Sequence, residues 1–279
     1  MKNENNIKPK KKKGSTIRRL YILAMLVFFY MPIVYTVVFS FNNSKSLSTF
    51  SGFSLQWYQK MFHNKDMVHS IFYTIAIAVL ATIVSTFVGT LTAIGLSKSN
   101  RIIKAAVEQI NDMPIMNPDI VTGIGLLMFF STLAVKKGFM TLLLSHIMFC
   151  IPYVILSVMP KLRSLDPNLL DAALDLGCTP IQAITKVIVP QITSGIVSGA
   201  LIAFTMSFDD FVISYFVTGS GVNNISIMVY TMSKRVNPSI NALSTVIIAI
   251  ITAVLVVINT VPVIIEKIRN IKNKRRSTI

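Results

Sequence analysis

Four aspartates interrupt stretches otherwise apolar enough to lie in lipid: Asp112 and Asp119 in NDMPIMNPDIVTGIG, and the adjacent Asp209 and Asp210 in TMSFDDFVISYF. An ionised carboxylate in hydrocarbon is costly, and where one persists it marks a substrate or ion path, a proton relay or a structural pair. Acids on two separate apolar segments suit a cationic solute, because a cation that leaves water needs negative charge beside it. Neighbouring helix positions point about 100° apart, so one member of the 209/210 pair can face a path while the other meets an adjacent helix. The alternative for each acid is to cap a helix end, hold water or pair with a base. Phe208 and Tyr215 flank the pair and could wall a cation site through ring–cation attraction, although packing or interface anchoring accounts for either ring alone.

A second polar island, DAALDLGCTPIQAITKVIVPQ at 171–191, has helical spacing rather than chemistry. Asp166 before Pro167 reads as an N-cap with proline at the first helical position. Gly177 is the residue type that ends a helix in the left-handed conformation. Thr179, Pro180 and Gln182 form a second start, a capping box of the T-x-x-Q kind, and Pro190 restricts the passage into the next apolar run. Leu169, Ala173, Leu176, Ile181, Ile184 and Ile188 recur mostly three or four apart, so each half of this elbow has an apolar face. Such an elbow either lies on the lipid surface or docks into a groove of another protein, where Ala172, Ala173 and Gly177 permit close backbone approach.

The elements that must hold these residues are membrane spans. With 53% hydrophobic and 14% charged residues, the chain falls well short of the roughly 25% charge of soluble domains. A hydrocarbon core needs about 20 apolar residues per helix, and six windows qualify: 20–41, 70–96, 105–131, 140–159, 193–216 and 242–265. Prolines 114 and 118 should kink or break the third. The basic start, KPKKKKGSTIRRL, precedes an apolar run too long for a signal peptide and reads as leading into a retained span. Placing the N-terminus in the cytoplasm puts 20 of the 27 Lys and Arg residues on that side, which the positive-inside rule favours. The expectation is therefore an all-α integral membrane protein with six spans, N-in and C-in. Its parts are a basic tail at 1–19, a spanning domain at 20–265 and a second basic tail at 266–279. The elbow then faces the cytoplasm. A net charge of +16 concentrated at span ends gives no support to nucleic-acid binding.

Other features point nowhere sharper. His63, His69 and His146 lack metal-ligand spacing, and Cys150 and Cys178 read as inert thiols. Trp57 and Tyr58 read as interface anchors, with contact to an external protein as the alternative. The turn-rich 218–224 could begin a re-entrant loop.

The order acid-Ala-Ala, three residues, Gly177, nine residues, then Val187-x-Val189-Pro190 resembles the EAA loop of ABC-importer permeases, E-A-A-x3-G-x9-I-x-L-P. The departures are Asp171 for Glu and valines for Ile and Leu. The segments NPDIVTGIGLL, LLLSHIMFCIPYVILSVMPKLRSLDPNLLDAALDLG and FDDFVISYFVTGSGVNNISIMVYTMSKRVNPSINAL are similar to the second permease of bacterial spermidine/putrescine importers. This resemblance implies a type I ABC-importer permease of the bacterial cytoplasmic membrane, carrying no cofactor. ATP and Mg would sit on a partner ATPase, coupled through Asp171, Ala172, Ala173, Gly177 and Pro190. It further implies a second homologous permease, two ATP-binding subunits, an extracytoplasmic binding protein and a polyamine substrate passing Asp209, Asp210 and Asp119 with Phe208 and Tyr215. The chain has no G-x-x-x-x-G-K-[ST] phosphate cradle, so hydrolysis would lie elsewhere. A permease for another solute, and a self-sufficient channel or ion-coupled carrier, are the competing readings.

Overall fold

The computed structural model describes residues 13–46, 48–219, 221–233, 237–253, 256 and 260. The described secondary structure is helical apart from one isolated bridge, Asn42 with Phe53. The described residues form, in chain order, the helices α1 (Lys13–Phe39), α2 (Gln56–His63), α3 (Lys65–Lys98), α4 (Arg101–Met116), α5 (Asp119–Thr132), α6 (Phe139–Arg163), α7 (Leu169–Asp175), α8 (Pro180–Ala183), α9 (Val189–Asp209), α10 (Val212–Val217), α11 (Ile225–Ser233) and α12 (Ser239–Ala253). A π-helical turn, Ile184–Ile188, joins α8 to α9. The chain divides into two units, one of residues up to His63 and from Arg235 onward, the other Asn64–Lys234.

In the first unit, α1 is apolar all round and exposed from 17 through 35, the pattern of a helix surrounded by something other than water. The loop after it has its own small core. Asn42 is buried, its amide donating to Ser44 Oγ, Ser46 O and Thr49 O while its carbonyl accepts from Ser51 N at 2.9 Å. Trp57, expected as an interface anchor, is instead 3% exposed, with its indole N–H donated to Asn42 O at 2.7 Å. Burying the ring satisfies its one polar atom and closes the loop. Tyr58 shares a 2.6 Å hydrogen bond with Ser40 Oγ.

In the second unit, α3, α6 and α9 pack pairwise into a three-helix core. Small residues set their spacing. Gly195, Gly199, Ala203 and Ser207 recur every four residues on the buried side of α9, a stripe that lets backbones approach where lipid offers no hydrophobic drive. Val154 of α6 is fully buried between glycines of both neighbours. A Cβ on Gly89 would lie 2.8 Å from the Val154 side chain, and one on Gly199 would lie 3.2 Å from its Cα.

Among the described residues, four helices are long and apolar enough to cross a membrane, at 17–39, 65–98, 139–163 and 180–209. The third expected span is not one helix: α4 and α5 meet at 105°. Pro118 causes the break, in line with the kinked or broken span expected here, by holding Asn117 extended (ψ 141°), whereas Pro114 is accommodated inside α4. α4 carries Lys104, Glu108, Gln109 and Asp112 and buries no residue. Counting the bent pair as one gives up to five spans. The fifth expected window, 193–216, is also displaced. The helix begins at Pro180 and ends at Asp209, because Asp210 starts a new one. Of the sixth window, 242–265, α12 covers the first part, and most of the remainder lies outside the described residues. So do most of the 1–19 tail and all of the 266–279 tail.

Candidate functional site

Asp209 and Asp210 diverge at the break between α9 and α10. Asp210 adopts φ −59°, ψ 127° and its carboxylate restarts the helix, with Oδ1 accepting from Ile213 N at 3.2 Å and Oδ2 from Ser214 N at 2.7 Å. An aspartate that accepts from free N–H groups at a helix start is stabilising both as cap and as charge. Its side chain is only 8% exposed, and Oδ2 lies 3.5 Å from His146 Nε2 of α6. Ser214 Oγ donates to the same oxygen at 2.7 Å. Asn224, buried at the start of α11, donates to Asp210 O at 2.9 Å and Ser214 Oγ at 2.8 Å, and the next residue's N–H reaches Thr74 Oγ1 of α3 at 2.8 Å. The break is thus held from three sides.

Asp209 is exposed and forms no ion pair with a described residue. Its carbonyl accepts from Ser226 Oγ of α11 at 3.3 Å. Beyond the pair, Phe211, Tyr215 and Tyr230 form a mutual ring cluster, with centroids 4.9 to 5.9 Å apart. Tyr215 is half exposed. Phe208 stacks back along α9 on Phe204, centroids 5.7 Å apart. Asp119 is exposed in the first turn of α5, one turn from Gly123, where Phe216 and Ile213 of α10 pack. α5, which starts at Asp119, and α10, which follows the Asp209/Asp210 pair, therefore pack together, whereas Asp112 lies on α4 across the 105° bend. Sequence reasoning set aside His146 and overlooked Phe211, Tyr230 and Asn224. A lone histidine on an apolar helix gives no signal until the α9 break is known.

Gly219 closes this region. A Cβ there would fall 2.1 Å from Lys137 O and 2.6 Å from its carbonyl carbon, both backbone atoms. Gly219→Ala should therefore lower the thermal midpoint of the detergent-solubilised chain by about 5 °C or more, read by fluorescence size-exclusion after heating. An unchanged midpoint would show that the loop shifts freely.

The 169–188 elbow forms as its local signals require. Gly177 has φ +85°, and the turn closes through Gly177 N to Leu174 O at 2.9 Å and Cys178 N to Ala173 O at 3.1 Å. The capping box is present, with Gln182 N on Thr179 Oγ1 at 3.3 Å and Thr179 N on Gln182 Oε1 at 3.2 Å. Asp166 sits earlier than expected for a cap, accepting from Asn168 N at 2.9 Å in a turn that feeds α7. The π turn accommodates Pro190, which has no N–H to continue an α-helical ladder. Val189 N reaches five residues back to Ile184 O, and the Gln191 side-chain amide reaches Val187 O at 3.1 Å.

The apolar face expected of each half is only partly buried. Ala173, Ala183 and Ile188 are buried, whereas Leu176 is 87% and Ile181 74% exposed on either side of the Gly177 turn. Asp171, Ala172 and Gly177 are exposed with them, so Ala173 supports the elbow from inside while the others form its outer surface. Lys98 at the end of α3 donates to Pro167 O at 3.2 Å, and a cavity of about 380 Å³ lies between that helix end, α6 and the elbow. Arg163 pairs with Glu108 of α4 at 2.7 Å. The pair links the end of α6 to α4, and as both side chains are partly exposed it adds little stability.

The described residues thus combine a helical core of membrane-spanning type, an elbow that exposes Leu176 and Ile181, and a helix break at which Asp209 is exposed and Asp210 is held by a hydrogen-bond network. Residues 85–268 match the family described as the binding-protein-dependent transport system inner membrane component. The spermidine/putrescine transport system permease protein PotC of Haemophilus influenzae is 35% identical over 83% of this chain and 91% of its own length. The protein of the same name from Escherichia coli K12 is 34% identical over 84% and 89%. The putrescine transport system permease protein PotI of that strain is 34% identical over 83% and 85%. Among solved structures, a bacterial ABC transporter involved in alginate import superposes with TM-score 0.67 at 14% identity, covering 92% of this chain and 99% of that one. The MetNI methionine ABC transporter in inward-facing conformations superposes with TM-score 0.57 at 16% identity, covering 70% and 93%. These two bear on the fold alone. The chain belongs to the binding-protein-dependent transport system inner membrane component family: it is the permease subunit of an ABC importer and not an enzyme.

Proposed function

We propose that this permease imports polyamines, spermidine and putrescine, across the bacterial cytoplasmic membrane. The observation that carries the substrate class is the match, over more than four fifths of the chain, to relatives named for spermidine and putrescine transport. The exposed Asp209 carboxylate, with the Phe211, Tyr215 and Tyr230 rings beyond it, supports the same reading. A flexible polycation is recognised by fixed negative charge and by ring faces, and both stand where α9 ends. Asp119 continues the path, Phe208 lines its α9 side, and Asp210 shapes the site from behind.

The chain has six spans with both termini in the cytoplasm. The elbow then faces the cytoplasm, the α9–α10 break lies toward the outer mouth, and the chain supplies half of the path, a second homologous permease supplying the rest. An extracytoplasmic binding protein delivers the solute. Two ATP-binding subunits, with ATP and Mg, clamp the elbows through Asp171, Ala172, Gly177, Leu176 and Ile181, while Ala173 and Pro190 keep the elbow in shape. Transport occurs when nucleotide-driven closure of those subunits favours one facing of the path over the other, a bias equal to their differential affinity for the two states.

Uptake of labelled spermidine and putrescine in cells lacking this gene, restored by the native chain with its partners present, tests the proposal. Restoration that requires ATP supports it. Restoration of a different solute's uptake alone would leave a permease with another cargo, and uptake persisting after ATP depletion would favour an ion-coupled carrier.

A further inference from the structure

We propose that His146 is a positioning residue for the cation site. Its ring, with Nε2 as a donor, ties α6 to both sides of the α9–α10 break and so fixes the direction of Asp209 and the neighbouring rings without touching the solute. The inference rests on the reading of Asp209 as part of the path.

The role of Nε2 is set by a count of protons. Ser214 Oγ has one, and it goes to Asp210 Oδ2 at 2.7 Å, since both oxygens of that carboxylate already accept from backbone N–H groups. Ser214 Oγ also accepts from Asn224 Nδ2 at 2.8 Å. His146 Nε2 therefore faces a serine lone pair at 3.0 Å and a carboxylate oxygen at 3.5 Å. Two acceptors require a donor, so Nε2 carries the proton. Nδ1 lies 2.6 Å from Ser207 Oγ and is hydrogen-bonded to it.

The ring is 1% exposed, with Phe149 against its edge at a centroid distance of 5.2 Å. Ser207 belongs to the last turn of α9, Ser214 to the first turn of α10, and Asp210 to the junction. One side chain of α6 thus touches each part of the break. Asp209 and Phe211 are the chain neighbours of Asp210, so their directions are set by the backbone that this network holds. Without the imidazole, buried oxygens on both helices lose a partner, which a membrane interior does not replace with water.

Two measurements on the assembled importer in nanodiscs and proteoliposomes test the role, with ATPase co-purification as the check on assembly. His146→Phe keeps a ring and removes both nitrogens, while His146→Gln returns a donor at the ε position. With Phe, amide hydrogen exchange across 210–217 should rise at least about tenfold, and the spermidine concentration for half-maximal uptake should rise about tenfold. Gln should recover most of both. Unchanged exchange in the Phe variant overturns the tie. Faster exchange with unchanged half-maximal concentration overturns the positioning role. Should the Phe variant not assemble, Ser207→Ala, which removes only the Nδ1 partner, must still raise exchange, and no rise overturns the proposal. If the native importer takes up no polyamine, the substrate reading fails and exchange alone decides the tie.

Discussion

Leu176→Asp combined with Ile181→Asp leaves the permease inserted and folded but unable to retain its ATP-hydrolysing partner, with ATPase co-purification and ATP-driven uptake falling at least about 30-fold. The size of the effect reflects where these side chains stand. Within the chain they support nothing: Leu176 is 87% and Ile181 74% exposed, so charge there costs the fold little, and changes at such positions usually stay within about 0.5 kcal/mol. At an interface, a protruding apolar anchor seated in a desolvated pocket is worth about 2 kcal/mol or more, and a carboxylate driven into that pocket is worse than a truncation. Ala173 supplies the contrast. It is 6% exposed, so Ala173→Asp should fail earlier, at insertion or folding. The discriminating measurement is paired: monodisperse chain in detergent, then ATPase retained on an affinity column. Full ATPase retention by the double variant would place the coupling surface elsewhere and return the elbow to the lipid face.

How much of the fold and the site is legible in the sequence depends on the range of the forces involved. The elbow is readable residue by residue, because a left-handed glycine and a T-x-x-Q box are local devices whose partners lie within four positions. The spans are readable as composition, yet their ends are not. Asp210 lies within an expected span, and the helix ends there through bonds that sequence does not display, from its carboxylate to Ile213 N and Ser214 N and from Asn224 to its carbonyl. Pro114 and Pro118 carry the same signal in sequence. Pro118 breaks the chain, holding Asn117 extended, whereas α4 continues through Pro114, and α5, which starts directly after Pro118, packs against α10. His146 is unreadable for a different reason. Its partners are 61 to 68 positions away, and three scattered histidines give no spacing to interpret. Trp57 misleads because an aromatic beside a span is usually an anchor, and nothing local announces that Asn42 will offer its carbonyl.

Asp209→Asn and Asp210→Asn, one position apart, should fail in different ways, and the difference separates a path residue from a scaffold residue. Asn at 209 replaces an exposed carboxylate that has no ion pair with a described residue, so the fold loses nothing. A cation arriving at the ring cluster loses its fixed countercharge. The expected result is native expression and ATPase retention, with the spermidine concentration for half-maximal uptake raised at least about tenfold, equivalent to about 1.4 kcal/mol. The loss should be larger for spermidine than for putrescine, since the longer amine carries one more charge. Asn at 210 keeps one acceptor oxygen but places an N–H₂ where Ile213 N, Ser214 N, Ser214 Oγ and His146 Nε2 all converge. Whichever way the amide is turned, a buried donor meets a donor, at a cost of about 1–3 kcal/mol, and α10 loses part of its cap. That variant should show a lowered thermal midpoint and reduced assembly before any question of affinity arises. Uptake kinetics and midpoint measured on the two variants side by side decide the matter: if Asp209→Asn transports spermidine with native affinity, the path runs past some other acid, and Asp119 becomes the first to test.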